Sequence, residues 1–435
     1  MTEDYKKLLN LALSGKEIDE KVLQLNKLWN VVNEESLFYH AKIDEVASHI
    51  TYILKSSDLN YASFWDKEYQ EVDHRVSVLM RVLDEVGTKL KENDIEIVAL
   101  KNAGITKAIF KNNACSPMGD LDLLVRSNDF RKAHEIISED LDFTFQFRSE
   151  FENEDLEEAF RGGGTEYYKM ESGYKIWLEL QWRPIAGRWI QPHNEPNGDL
   201  LMQNSIEVKG SNVRILTPED NLLQVALHTA KHSYVRAPGF RLHSDVDRIV
   251  RFQKIDWDIF YKKVAKLKLT TAVYFSLYFA NHLLETPIPD SVLKRLRPSI
   301  LRRKLIFHYL KKAGIYNQKK KKFTKIGYII FNLAMYDSIG ENIKAIFPPF
   351  DSMKTKYPIK SKWSMPYYYA IRFKDLLFRR AQLLKVMNIL ITSAGRRVSL
   401  VQGFKRAAST LNLDSKVFIT DLDPIKSSPV AHFAD

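Results

Sequence analysis

The chain has 435 residues, 45% hydrophobic and 27% charged, enough for two or three domains with sizeable cores and too apolar for a disordered chain. Its single cysteine, Cys115, excludes an internal disulfide framework and any multi-cysteine zinc site, and it fits a reducing cytoplasm. A formal charge of +11 favours phosphate-rich partners: nucleotides, nucleic acid or an anionic membrane surface.

The opening M-T-E-D-Y-K-K lacks the apolar run of a secretory signal, and no stretch approaches about 18 consecutive apolar residues, so no transmembrane segment is expected. Residues 1–90 read as a helical segment. In L-L-N-L-A-L-S-G-K-E-I and V-S-V-L-M-R-V-L-D-E-V, apolar positions recur at three- and four-residue spacing. The period changes at Ile95. I-E-I-V-A-L-K predicts a short strand, N-A-G-I-T-K-A-I-F-K-N a helix entered through Gly104, and L-D-L-L-V a second strand after the turn residues Asn112–Pro117. A helix should start beyond Arg126, with Ser127 or Asn128 as its N-cap. Y-K-I-W-L-E-L-Q-W at 174–182 is a clear strand, and Val208–Leu216 is a candidate for another.

From T-P-E-D the chain returns to helix, with Thr217 as cap and Pro218 at the first helical position. Helices are expected through about residue 312. Lys319–Lys322 and F-P-P-F at Phe347–Phe350 punctuate a basic tail, and Lys294–Lys325 with Lys354–Lys385 carry most of the surplus charge. The basic C-terminal half reads first as solvated surface and second as a site for an anionic partner. The expected division is a helical segment at 1–90, a core at 91–216, a second helical segment at 217–315, the basic tail at 316–386 and a separate piece at 387–435.

The main chemical signal is M-G-D-L-D-L-L-V at 118–125. Residues two apart on a strand share a face, so Asp120 and Asp122 point one way and Leu121, Leu123 and Val125 the other. Two such carboxylates repel unless they are solvated or bridged by a cation. Mg²⁺ takes one or two carboxylates together with substrate phosphate oxygens. Gly119 would let a phosphate or backbone approach closely. On the later strand Tyr174, Ile176, Leu178, Leu180 and Trp182 form the apolar face and Glu179 lies on the other. Three carboxylates on neighbouring strands frame two-metal phosphoryl transfer.

L-K-N-A-G-I at Leu100–Ile105, then G-D-L-D-L-L-V, then L-E-L-Q-W-R resembles the DNA polymerase beta-type nucleotidyltransferase superfamily. More narrowly it resembles the "nucleotidyltransferase family protein" group common in bacterial biosynthetic gene clusters. The helical L-T-P-E-D-N-L-L-Q-V-A-L-H-T-A-K-H and the following L-H-S-D-V-D-R-I-V extend the likeness, which covers about residues 20–385. The resemblance implies an α+β fold: a small mixed β-sheet nucleotidyltransferase core (itself α/β) between N- and C-terminal helical segments. It also implies a metal-dependent transferase moving an NMP group from an NTP such as ATP to an acceptor hydroxyl of unknown identity, with release of pyrophosphate. Asp120 and Asp122 would hold Mg²⁺ or Mn²⁺, and Glu179 would bridge a metal and help deprotonate the acceptor. Lys101, the helix start at Gly104, and Gly119 would face the nucleotide. Two positions depart from the family pattern: Asn102 stands where glycine is usual and Gln181 where histidine is frequent.

A non-catalytic binding module with the same fold is the main alternative. A glycosyltransferase using D-x-D is a lesser one, because residues before the motif read as helices rather than a nucleotide-binding α/β half. His228 and His232 have the i, i+4 spacing of zinc ligands, but no acid or cysteine accompanies them, and helix packing is the simpler reading. His228 and Asp247 are weak candidates for pocket residues by resemblance. R-G-G-G-T at Arg161–Thr165 reads as a hinge or a loop over the site. Lys319–Lys322 beside I-G-Y-I-I-F reads as a solvated loop before a membrane-surface patch. The last 49 residues, with M-N-I-L-I-T-S-A-G-R-R-V-S-L-V and K-V-F-I-T-D-L-D-P, resemble the Rossmann-like N-terminal segment of an ATP-grasp ligase of the carbamoyl-phosphate-synthase type. An incomplete βαβ piece is expected there, a remnant of a fusion or truncation. Asp421 and Asp423 would end its second strand with nothing to complete a metal site.

Overall fold

The computed structural model describes residues 2–146, 156, 160, 162–185, 189–354, 357–374, 389–392, 402 and 417–420. Contacts divide the chain into two compact units, Met1–Ala345 and Ile346–Asp435. In the first, helices α1 (Glu3–Leu13), α2 (Ile18–Trp29), α3 (Glu34–Ile43) and α4 (Ala47–Leu54) bury Leu8, Leu9, Leu37 and Ile50 around Trp65. Helix α5 (Phe64–Glu92) then presents Val76, Leu79, Val82, Leu83, Val86 and Leu90 at helical spacing to the sheet.

The sheet is mixed, in the order β3-β4-β5-β2-β1-β7-β6. Its strands are β1 (Val98–Ala99), β2 (Asp120–Leu124), β3 (Thr144–Gln146), β4 (Gly164–Glu171), β5 (Tyr174–Gln181), β6 (Ile206–Glu207) and β7 (Arg214–Ile215). Strand β2 runs parallel to β5 and antiparallel to β1. Leu121, Leu123 and Val125 pack into the core under α5, while Leu124 on the opposite face joins Val98 and Leu216 beneath α8 (Gly198–Asn204). This is the α+β fold with a small mixed sheet that the sequence implies.

Several local expectations shift. Helix α6 spans Lys101–Ala108, so it starts three residues before Gly104. Helix α7 begins at Phe130 without a side-chain cap, because Ser127 gives its N–H and hydroxyl to Asp199 instead. Strand β4 occupies part of the segment read as a glycine loop, and it turns into β5 through Ser172 and Gly173, with φ of +49° and +81°. Positive φ at both central residues is what a two-residue hairpin turn requires. Thr217 does precede α9 (Pro218–Lys231), but its hydroxyl donates to Asp220 rather than accepting a backbone N–H.

Helices α9, α10 (Leu242–Phe252), α11 (Trp257–Lys266), α12 (Thr270–Leu284), α13 (Asp290–Leu296), α14 (Ile300–Ala313) and α15 (Lys325–Ala334) enclose a second large apolar core, including Leu222, Val246, Phe275 and Phe331. In the unit Ile346–Asp435, helices cover Phe350–Lys354 and Met365–Lys374, and β8 (Ile389–Thr392) pairs in parallel with β9 (Val417–Thr420). Asp421 and Asp423 lie outside the described residues. No described helix is long and apolar enough to cross a membrane.

Candidate functional site

The parallel register of β2 and β5 sets Asp122 opposite Glu179 and Asp120 opposite Trp177. Because side chains alternate along a strand, the three carboxylates leave the same face of the sheet. One carboxylate oxygen from each of Asp120, Asp122 and Glu179 lies within 4.8 Å of the others. Among the described residues it is the only group of three or more metal-ligating side chains at such spacing. Asp122 and Glu179 are buried, while Asp120, at the strand's first position, keeps exposed surface although the surrounding protein desolvates its carboxylate.

Burying like charges costs heavily unless cations or donors compensate. Lys101 supplies the cation. Its Nζ lies 2.5 Å from Oδ1 of Asp122 and 3.8 Å from Oε2 of Glu179. It enters α6 with φ of +52°, a geometry that side chains other than glycine seldom adopt. The Leu100 N–H donates to the Asp122 backbone carbonyl at 2.9 Å, tying the start of α6 to β2. Gln181 completes the support, its Nε2 donating to Asp122 Oδ1 at 2.7 Å. Asp122 beside it, together with burial, pushes the Asp120 carboxyl up to about 6, against the pull of Lys101 and Arg241. A site whose carboxylates repel in this way, and which already draws in one ammonium, fits divalent cations.

A cavity of about 610 Å³ opens from Asp120 and Glu179. Arg75 from α5, Arg241 just before α10, Lys42 from α3 and Trp177 from β5 contribute to its wall. Arg75 is anchored by donating to the Met118 carbonyl at 2.5 Å, and Arg241 by Glu45 at 2.8 Å. At Gly119 the nearest atom to an added Cβ would be Arg75 Nη2 at 3.9 Å, so the space in front of this glycine is open.

Gly104 lies elsewhere. A Cβ there would come within 2.4 Å of the Ala99 carbonyl, so this glycine lets α6 press against β1 and does not line the cavity. Asn102 donates to the Pro117 carbonyl at 3.3 Å, bracing the turn before β2. His228 is half-buried with its Nδ1 atom enclosed, and desolvation with the nearby charge of Lys101 moves its imidazole well below its ordinary value, so it is neutral near pH 7. Its ring sits 4.9 Å from that of His232, whose Nδ1 faces the Ala237 carbonyl at 2.6 Å. No described carboxylate or cysteine joins the two histidines in a metal-ligating group. Asp247 is wholly buried and taken up by the Gly15 N–H, the Thr286 hydroxyl and Arg251, so it joins α1 to α10 and α12. Gly163, with φ of +94°, packs on Arg183, and Gly164 opens β4; Arg161 lies outside the described residues.

A family described as "Uncharacterised nucleotidyltransferase" matches residues 31–285, a span holding the whole seven-stranded sheet and all three carboxylates. The chain belongs to this nucleotidyltransferase family. One solved structure similar to it is that of an antigenic nucleotidyltransferase-like protein from Paracoccidioides brasiliensis, 16% identical, covering 50% of this chain and 93% of that one at a TM-score of 0.33. Likeness at that level places no residue. No curated protein matches the chain. The family match ends at residue 285, so the ATP-grasp resemblance of 387–435 is unsupported by it.

Sequence reasoning overlooked four groups around the cavity. Arg75, Arg241 and Glu166 line it, and Asp245 is buried nearby with its carboxyl pushed up to about 6 by desolvation, within the field of Arg241, Arg248 and Lys101. Glu166 pairs with Glu179 across β4 and β5 and was hidden with its strand. The S-G turn was its available signal. The two arginines have no local signal, because tertiary packing alone brings α5 and the turn before α10 to β2.

Proposed function

We propose that the protein transfers a nucleotidyl group from an NTP to an acceptor hydroxyl, using Mg²⁺ or Mn²⁺ held by Asp120, Asp122 and Glu179. The observation that carries this reading is the convergence of the three carboxylates at the mouth of the cavity in a member of a nucleotidyltransferase family. Cations bound there would neutralise triphosphate charge and lower the pKa of the acceptor hydroxyl. In the transfer the acceptor oxygen bonds to the α-phosphorus, the bond from that phosphorus to the α,β-bridging oxygen breaks, and pyrophosphate leaves. Glu179 would receive the acceptor's proton. Arg75 and Arg241, already on the cavity wall, would bind phosphate oxygens. Lys101 would turn from the carboxylates to the triphosphate once the carboxylates are otherwise neutralised. Gly119 leaves room for the nucleotide beside Asp120.

A second reading is a binding module that keeps the fold without turnover. It draws on one fact: Oδ1 of Asp122 already takes donors from both Lys101 and Gln181. Calorimetric titration with Mg²⁺ and each NTP, joined to a pyrophosphate-release assay, separates the two. The transferase requires metal-dependent nucleotide binding and release of pyrophosphate with a competent acceptor, both lost in Asp120→Asn/Asp122→Asn. A double variant that binds and turns over like the parent overturns the catalytic assignment.

A further inference from the structure

Far along the sequence from the carboxylates, α14 and α15 form a face that the proposed reaction does not use. Their inner sides are ordinary core: Ile306, Leu310 and Phe331 are buried, and the Tyr309 ring lies against Gly327 where the helices meet. Their outer sides are not ordinary. Ile300, Leu301 and Leu305 on α14 are 62%, 81% and 41% exposed, and Ile326, Ile329 and Ile330 on α15 are 69%, 42% and 37% exposed. The α14 set falls at i, i+1 and i+5 and the α15 set at i, i+3 and i+4, so each forms one stripe on its helix. Scattered apolar residues on a surface need no explanation, but two stripes of large aliphatics on contacting helices do.

The surrounding charge is one-sided. The 46 residues Ser291–Tyr336 include thirteen Lys or Arg and no Asp or Glu. Some of these cations serve the fold: Lys322 donates to the Gly314 and Tyr316 carbonyls, Arg295 pairs with Asp258, and Arg302 donates to the Asp337 carbonyl. Lys304, Lys311 and Lys312 on α14, Lys319 and Lys321 in the connecting loop, and Lys325 on α15 are exposed instead.

We propose that this face docks on the surface of an anionic lipid bilayer, with the aliphatic stripes in the interfacial layer and the lysines on the headgroup phosphates. Exposed apolar side chains ringed by lysine are the composition of an interfacial helix, and clustered lysines are drawn to anionic leaflets. A nucleic-acid partner fits less well, because single strands are gripped by aromatic rings on which bases stack. The outward apolar groups here are isoleucine and leucine. Since no described helix is long and apolar enough to cross a membrane, the association is peripheral.

The test uses the full chain in co-sedimentation with phosphatidylcholine vesicles, with and without phosphatidylserine, at low and high salt. The parent should partition onto the phosphatidylserine vesicles and stay in solution with phosphatidylcholine alone. Lys319→Glu/Lys320→Glu/Lys321→Glu should weaken that partition by about a hundredfold. Leu301→Asn/Ile326→Asn should weaken it about tenfold at either salt concentration, with circular dichroism and melting unchanged in both variants. Equal partition onto the two vesicle types, or a Leu301→Asn/Ile326→Asn protein that binds like the parent, overturns the proposal. So does preferential capture of RNA or DNA with vesicles left unbound, or a dimer that hides the stripes and ignores vesicles.

Discussion

The Lys101 ammonium lies 2.5 Å from Oδ1 of Asp122, and the same ammonium reaches to 3.8 Å from Glu179 on the neighbouring parallel strand. One flexible cation thus holds two buried carboxylates that stand on the same rung of β2 and β5. In the proposed reaction this lysine keeps the acidic face in order until divalent ions take its place.

Lys101→Met should therefore damage the metal-free protein more than the metal-loaded one. Removing one partner of a buried ion pair leaves an uncompensated charge, at a cost of roughly 3 kcal/mol. Urea denaturation should show a loss of about that size without Mg²⁺ and recovery of most of it with saturating Mg²⁺. A variant as stable as the parent in both conditions would mean that the ammonium contributes nothing to the acidic face.

Asp120 makes the site sensitive to pH. Its carboxyl is raised from the ordinary 3.8 to about 6, first by Asp122 and then by burial. Between those values the folded protein binds more protons than the unfolded chain, so metal-free stability falls as pH rises through that window. Mg²⁺ favours the ionised form and opposes the trend. The rise in melting temperature on adding Mg²⁺ should be small near pH 5 and grow by about pH 7. A rise that does not vary over this range would place the ion away from Asp120.

Gln181 is the second donor on Asp122. Gln181→Leu should cost about 1.5–3 kcal/mol, since it strips a hydrogen bond from a buried carboxylate. It should also weaken Mg²⁺ binding, because Asp122 is then held by Lys101 alone. Gln181→His keeps a donor and should retain most of the parent's Mg²⁺ affinity in calorimetry. Equal losses in both variants would show that the fit of the glutamine amide matters more than the donor.

Much of the core was legible because alternation and helical spacing follow directly from one-sided burial. In β2 and β5 every second residue is apolar, and the carboxylates lie among the residues of the other face. Strand β4 escaped because T-E-Y-Y-K-M-E carries no such alternation and follows three glycines. Ser127 misled for a different reason: its hydroxyl is taken by Asp199, 72 residues away, and a local capping rule does not see that partner. Arg75 and Arg241 show the same limit at the cavity. Their residue types are unremarkable in sequence, and only the packing of α5 and the turn before α10 against β2 brings them together.

The two glycines assigned to the nucleotide should respond differently to the same substitution. At Gly104 an added methyl meets the Ala99 carbonyl at 2.4 Å, and a backbone atom does not swing aside as a side chain would. Gly104→Ala should force α6 away from β1 and cost about 1–3 kcal/mol, read by urea denaturation, with the fall in Mg²⁺ affinity following from the displaced Lys101. Gly119→Ala meets only the end of Arg75 at 3.9 Å and should fold like the parent. Its methyl projects into the open space beside Asp120, so calorimetry should find Mg²⁺ binding retained and NTP binding weakened about tenfold or more. If Gly104→Ala instead kept full stability and lost only NTP affinity, that glycine would belong to the nucleotide site rather than to the packing of α6 on β1.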